Sequence, residues 1–172
     1  ALESIKRFTF PCTCSRKGVP DIYPGTCRQN KHYAPVEPYA VRLEVPTHSV
    51  SINDRCLGLR TWDLEKEVGD FVIKRKDGLH AYQLAVVVDD IHHSVSHVVR
   101  GNDLLNSTPR QLALYEHLGV SPPEYLHIPV LVDEWGNKLS KQAHAKPVDT
   151  SDALTTIRSA LSDLGQNTHE YS

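Results

Sequence analysis

Between Pro11 and Pro38 the chain is rich in Cys, Gly and Pro and has almost no hydrophobic periodicity. Such a stretch buries too little apolar surface to hold one structure by itself, so it requires an external clamp. Three of the four cysteines lie inside it: Cys12 and Cys14, separated by one residue, and Cys27; Cys56 stands alone further on. Thiolates bind zinc strongly, structural zinc sites take four ligands, and loops without a core gain folding energy from the ion. Three cysteines leave one position to fill, and Tyr23, His32 and Cys56 are the local candidates. A phenolate ligand is uncommon, so residue chemistry alone prefers His32 or Cys56. A loop of reduced thiols without metal is the bland alternative, but Cys-x-Cys in a Gly/Pro-rich loop favours the metal.

The length of 172 residues gives room for one domain. Lys and Arg total 19 against 21 for Asp and Glu, a formal charge of −2, which supplies no global attraction for nucleic acid. The hydrophobic fraction of 40% and charged fraction of 23% are those of an ordinary globular protein. No run approaches the ~18 apolar residues of a membrane-spanning helix, so no membrane partner is expected. The start, Ala1-Leu2-Glu3-Ser4-Ile5-Lys6, has no basic-then-apolar export signal. A cytoplasmic protein with reduced thiols or bound metal is therefore expected. The chain also lacks Met and begins as though inside a helix, which suggests a processed or truncated polypeptide.

After a Phe8-Thr9-Phe10 strand, regular patterning resumes at Val41-Arg42-Leu43-Glu44-Val45, an alternation that predicts a half-buried strand. Phe71-Val72-Ile73 predicts another, closed by the turn Lys76-Asp77-Gly78. Leu84 to Val88 is a continuous apolar run that periodicity leaves open between helix and buried strand. Val95 to Arg100 predicts a strand with Val98 and Val99 inside. Thr108, Pro109 and Gln111 have the spacing of a capping box, with Leu112, Tyr115 and Leu118 on one helical face and Gly119 as the stop. His127 to Val132 predicts a strand, Trp135-Gly136-Asn137 a turn, and Ser151 to Leu164 a last helix with Leu154, Ile157, Leu161 and Leu164 in register. Strand, helix and strand in that order predict an α/β fold with at least part of a parallel sheet.

Lys138-Leu139-Ser140-Lys141 follows a predicted buried strand. Two ammonium groups beside a hydroxyl can grip a polyphosphate and neutralise charge developing in phosphoryl or adenylyl transfer. The site also falls where open α/β sheets bind ligands, outside strand carboxyl ends. Arg100, at another strand end, can clamp a carboxylate in bidentate fashion. Tyr82 is by spacing a core tyrosine or a ligand contact. Asp89-Asp90 reads as structural, and Lys74-Arg75-Lys76 and His92-His93 as solvated surface.

Together these motifs resemble the glutamyl-tRNA synthetase family of class I aminoacyl-tRNA synthetases. Its likeness runs from Gly69-Asp70-Phe71-Val72-Ile73 and Ala81-Tyr82-Gln83-Leu84 through His97-Val98-Val99-Arg100-Gly101 and Thr108-Pro109-Arg110-Gln111-Leu112 to His127-Ile128-Pro129 and Gly136 to Lys141. The Cys12/Cys14/Tyr23/Cys27 pattern narrows it to the short branch that attaches glutamate to queuosine in the tRNA(Asp) anticodon loop. The resemblance implies a partial Rossmann-like catalytic domain with a zinc-binding insertion and a helical C-terminal segment. It divides the chain into a zinc-bearing connecting region (1–68), the second half of the nucleotide-binding core (69–146) and a C-terminal helix and tail (147–172). It also implies that Tyr23 completes the Zn²⁺ site, that Lys138, Leu139, Ser140 and Lys141 bind ATP with Mg²⁺, and that Lys141 is the catalytic residue stabilising the α-phosphate. Tyr82 and Arg100 become glutamate-pocket residues, and the partners become glutamate, ATP and queuosine-bearing tRNA(Asp), acted on by a monomer. None of the ten histidines sits in the family's earlier His-x-Gly-His signature. The expectation is therefore a C-terminal portion of the catalytic domain that is inactive alone. A fragment charging tRNA(Glu), or a non-catalytic zinc-stabilised RNA-binding module, are the alternatives.

Overall fold

The computed structural model describes residues 1–15, 18, 20–30, 35–140, 145 and 147–167. Turns and the 3-10 helix Lys6–Phe8, rather than an α-helix end, lead into β1 (Thr9–Cys12). Then follow β2 (Ala40–Leu43), the hairpin strands β3 (Ser49–Asp54) and β4 (Gly58–Asp63), a π-helical turn Leu64–Val68, and β5 (Phe71–Lys74). Strands β1, β2 and β5 form one antiparallel sheet in that order. Phe71 and Ile73 alternate inward as period two requires. In β2 the alternation is interrupted by an irregularity between Val41 and Arg42, which leaves Val41 half-buried while Leu43 and Val45 are fully inside.

The apolar run left open by its sequence lies in helix α1 (Tyr82–His92), with Leu84 and Val87 buried. Gly78, at φ 85°, makes the turn before it, and that chain reversal sets the helix against β5. Strand β6 (His97–Gly101) leads through the 3-10 helix Asn102–Ser107 into α2 (Thr108–Leu118) and then β7 (Glu124–Ile128). β6 and β7 pair in parallel, Val98 opposite Tyr125 and Arg100 opposite His127, so this is a βαβ unit. Three expectations change here. Strand β7 begins three residues before His127 and ends at Ile128, because Pro129 has no N–H to continue the ladder. Val99 is 64% exposed, since no layer among the described residues covers that side of β6. The capping box does not form: Ser107 is already helical, running in from the 3-10 turn, and makes no side-chain cap bond. Thr108 is instead a helical residue with its hydroxyl inside the protein. The predicted stop is met, as Gly119 sits at φ 70° and its N–H bonds back to the last turn.

The main core joins Ile5, Leu43, Leu64, Phe71 and Ile73 to Leu84 and Val87 of α1 and Leu114 and Tyr115 of α2. Helix α3 (Ala153–Asp163) is capped by Asp152, which accepts from the Thr155 amide at 3.1 Å. Its stripe of Leu154, Ile157 and Leu164 faces solvent. No helix among the described residues is long and apolar enough to cross a membrane.

Candidate functional site

Strand β1 delivers Cys12 buried at its end, and the chain then loops so that Cys14, Tyr23 and Cys27 return to it. The Cys14 and Cys27 sulfurs are 3.6 Å apart, and the Tyr23 hydroxyl lies 3.7 Å from both the Cys12 and the Cys14 sulfur. The Cys27 amide donates to that hydroxyl at 2.7 Å, fixing where the phenol points. A tetrahedral ion with bonds of about 2.3 Å to sulfur and 2.0 Å to oxygen spans edges of about 3.5–3.8 Å; these three separations match such edges, and the three sulfurs all lie within 4.8 Å of one another. Burial pushes the Cys14 thiol and the Tyr23 phenol up, whereas for Cys27 hydrogen bonds from Tyr23 and its neighbours outweigh burial and bring it down to about 7. Arg42 lies beside this cluster of acidic donors. Its Nε donates to the Cys12 sulfur at 3.3 Å, its guanidinium sits 3.9 Å above the Tyr23 ring, and its Nη1 anchors on the Asp70 carbonyl. Cys56, preferred with His32 on residue chemistry, is exposed at the β3–β4 turn and does not join the group. His32 lies outside the described residues.

The second constellation forms where β6 and β7 end together. Their parallel register sets Arg100 beside His127. The Arg100 Nε meets His127 Nε2 at 3.0 Å, and its Nη2 donates to the Thr108 hydroxyl at 2.8 Å. Behind the imidazole, Asp54 at the end of β3 meets His127 Nδ1 at 2.6 Å. Burial opposes ionisation of Asp54, but the His127 ring and the amides of Leu57, Cys56 and His127 hold its carboxyl down at about 2. The Arg100 guanidinium also lies 5.2 Å from the Tyr125 ring centroid. Burial pushes the Tyr125 phenol up to about 12; the Arg100 charge opposes that rise, and Asp90 and Tyr82 add to it. Tyr82, on the first turn of α1, is half exposed.

The segment after β7 folds back on itself. Val132 bridges Lys138, and Asp133 caps the turn by accepting from the Trp135 and Asn137 amides. Lys138 thereby reaches Asp103, just past the end of β6. A Cβ on Gly101 would stand 2.4 Å from an Asp103 carboxylate oxygen and 2.7 Å from a Val130 methyl, so only glycine leaves that carboxylate its place. Gly101→Ala is expected to lose about 1–3 kcal/mol in urea denaturation through overpacking; wild-type stability would mean that Asp103 and Val130 move aside freely. Leu139 and Ser140 follow Lys138 out of the bridge, and Lys141 lies outside the described residues.

Sequence reading missed Asp54, Thr108 and His127 as parts of this site. Asp54 and His127 are separated by 73 positions, and no local pattern connects them. Thr108 and His127 both fall in stretches that carry the family resemblance, but the full burial that ties them to Arg100 is visible only in three dimensions.

Residues 25–161 match the family described as tRNA synthetases class I (E and Q), catalytic domain. A Glutamyl-Q tRNA(Asp) synthetase of Cupriavidus metallidurans is 44% identical over 92% of this chain and 55% of its own length. One of Pseudomonas putida is 50% identical over 91% of this chain and 54% of its own. The chain thus spans about half the length of the curated relatives it matches. Among solved structures, a glutamate-tRNA synthetase from Elizabethkingia anophelis superposes with a TM-score of 0.67 at 24% identity, over 81% of this chain and 34% of that one. A glutamate tRNA ligase from Elizabethkingia meningosepticum gives 0.69 at 23% identity, over 90% and 38%. These two likenesses establish a shared fold.

Proposed function

Because the chain belongs to the class I tRNA synthetase (E and Q) catalytic-domain family, we propose that it is part of an ATP-dependent ligase that activates glutamate and transfers it to queuosine in the anticodon loop of tRNA(Asp). The observation that carries this is the identity of 44–50% to relatives of that name across nine-tenths of the chain. Arg100, with its guanidinium held at the strand ends, pairs with a substrate carboxylate in this reading, and half-exposed Tyr82 is assigned to the same glutamate site by the family resemblance. Lys138, Leu139, Ser140 and Lys141 approach the phosphates of ATP from the loop beyond β7, where an ammonium offsets charge building on the α-phosphate. In the first step a carboxylate oxygen of glutamate attacks that phosphorus and pyrophosphate leaves. In the second a hydroxyl of the queuosine ring attacks the acyl carbon and AMP leaves. Both steps rest mainly on positioning and charge neutralisation, consistent with a site built from cations rather than from acid–base pairs.

Cys12, Cys14, Tyr23 and Cys27 would hold a zinc ion, whose part is to close the loop onto β1. We read the enzyme as cytoplasmic, a reducing compartment in which its thiols would stay free to hold the ion.

Glutamate-dependent ATP–pyrophosphate exchange by the full-length protein tests the proposal. Exchange without tRNA, followed by glutamate transfer to queuosine-bearing tRNA(Asp), is expected. Exchange that requires tRNA(Glu) would assign the chain to a synthetase charging that tRNA, and no exchange under either condition would leave a non-catalytic RNA-binding module.

A further inference from the structure

The hydrogen bonds around His127 define more than packing. A guanidinium has five N–H donors and no acceptor. The Arg100 Nε–H that meets His127 Nε2 at 3.0 Å therefore requires a bare lone pair on that nitrogen. The ring proton must then lie on Nδ1, where the Asp54 carboxylate accepts it at 2.6 Å. His127 and Asp54 are both fully buried, so neither exchanges these partners for water. Asp54 is further pinned by the amides of Cys56 and Leu57 at 3.0 and 2.9 Å, and it accepts from the His127 amide as well. The chain of contacts is thus directional: carboxylate, imidazole, guanidinium.

What this does to Arg100 follows from which donors it uses. Nε–H and one Nη2–H form the side-on fork of the guanidinium, and His127 and Thr108 occupy that fork. The other three N–H bonds, which include the end-on fork, have no protein acceptor among the described residues. We propose that Asp54, His127 and Thr108 are positioning residues that lock Arg100 with its end-on fork presented to the substrate carboxylate. This deepens the proposed function and rests on its assignment of Arg100 to the glutamate pocket. A fork held by two acceptors cannot rotate to suit a different ligand. It fits two carboxylate oxygens, whereas an amide offers one acceptor and turns a donor towards it.

The test uses the full-length protein. Ring nitrogen NMR of wild-type protein should show His127 with its proton on Nδ1 and Nε2 bare at neutral pH; a proton on Nε2, alone or in an imidazolium, overturns the proposal. In Asp54→Asn the new amide can donate to Nδ1, which moves the ring proton to Nε2 and sets it against the Arg100 Nε–H. The KM for glutamate is expected to rise about 10–100-fold, with the KM for ATP changed less than about twofold. A glutamate KM that stays at the wild-type value overturns the proposal. Should Asp54→Asn fail to fold, Thr108→Val removes the Nη2 acceptor, together with the hydroxyl's 3.2 Å contact to His127 Nε2, and should raise the glutamate KM several-fold, with Thr108→Ser restoring it; no rise again overturns it. Arg100→Lys separates the two levels. An unchanged glutamate KM there sinks the pocket assignment together with the relay, whereas an unchanged value in Asp54→Asn alone sinks only the relay.

Discussion

Arg100→Ala is expected to lower kcat/KM for glutamate in pyrophosphate exchange by about 10²–10³-fold, because it deletes a doubly hydrogen-bonded charge pair contributing about 3–4 kcal/mol. The loss should appear with the KM for ATP nearly unaffected, since the cations proposed for the phosphates belong to a different segment, the one that carries Lys138. Folding should survive the change. Arg100 is only partly buried and serves the scaffold through two hydrogen bonds, to His127 and to Thr108, and a contact with the Tyr125 ring. A drop of less than about fivefold in a folded variant would remove Arg100 from the binding site.

The second large effect concerns the cysteine loop. Purified protein should carry one zinc ion, and stripping it with a chelator should lower the melting temperature by about 10 °C or more, because the loop between Cys12 and Cys27 contributes little apolar core to hold itself. Thiol counting gives an independent readout. Of the four cysteines, only Cys56 is exposed and outside the cluster. One thiol should therefore react quickly in the loaded protein and four in the stripped protein. Cys27→Ser should abolish zinc retention, and Tyr23→Phe should weaken it while leaving three thiolates in place. Full zinc affinity in Tyr23→Phe would hand the fourth position to a residue other than Tyr23, with His32 the first to examine.

Legibility varied with the range of the interaction involved. The stop at Gly119, the turn at Gly78 and the inward alternation of Phe71 and Ile73 are properties of a few neighbouring residues, and each stands where local chemistry puts it. Leu84 to Val88 is a helix although three of its five residues are β-branched valines, because packing against β5 and α2 outweighs a propensity difference of a few tenths of a kcal/mol per residue. The capping box failed for a related reason. Its spacing is correct, but the preceding 3-10 turn enters in a helical conformation, and Arg100 and His127 claim the Thr108 hydroxyl. Residue chemistry preferred His32 or Cys56 as a fourth metal ligand, whereas the phenol of Tyr23 is the group that lies against two of the thiols.

By itself, the sequence determined the α/β pattern, the loop that needs a clamp, the three thiols that can supply it, and the arginine at a strand end. Those depend on residue type and on spacings of a few positions. The tertiary structure alone decided which residues hold those groups still. Asp54 reaches His127 across 73 positions, Arg42 reaches Cys12 across 30, and Lys138 reaches Asp103 across 35. Each contact is made by chain segments whose meeting is settled by strand pairing and core burial, and no periodicity along the chain encodes it.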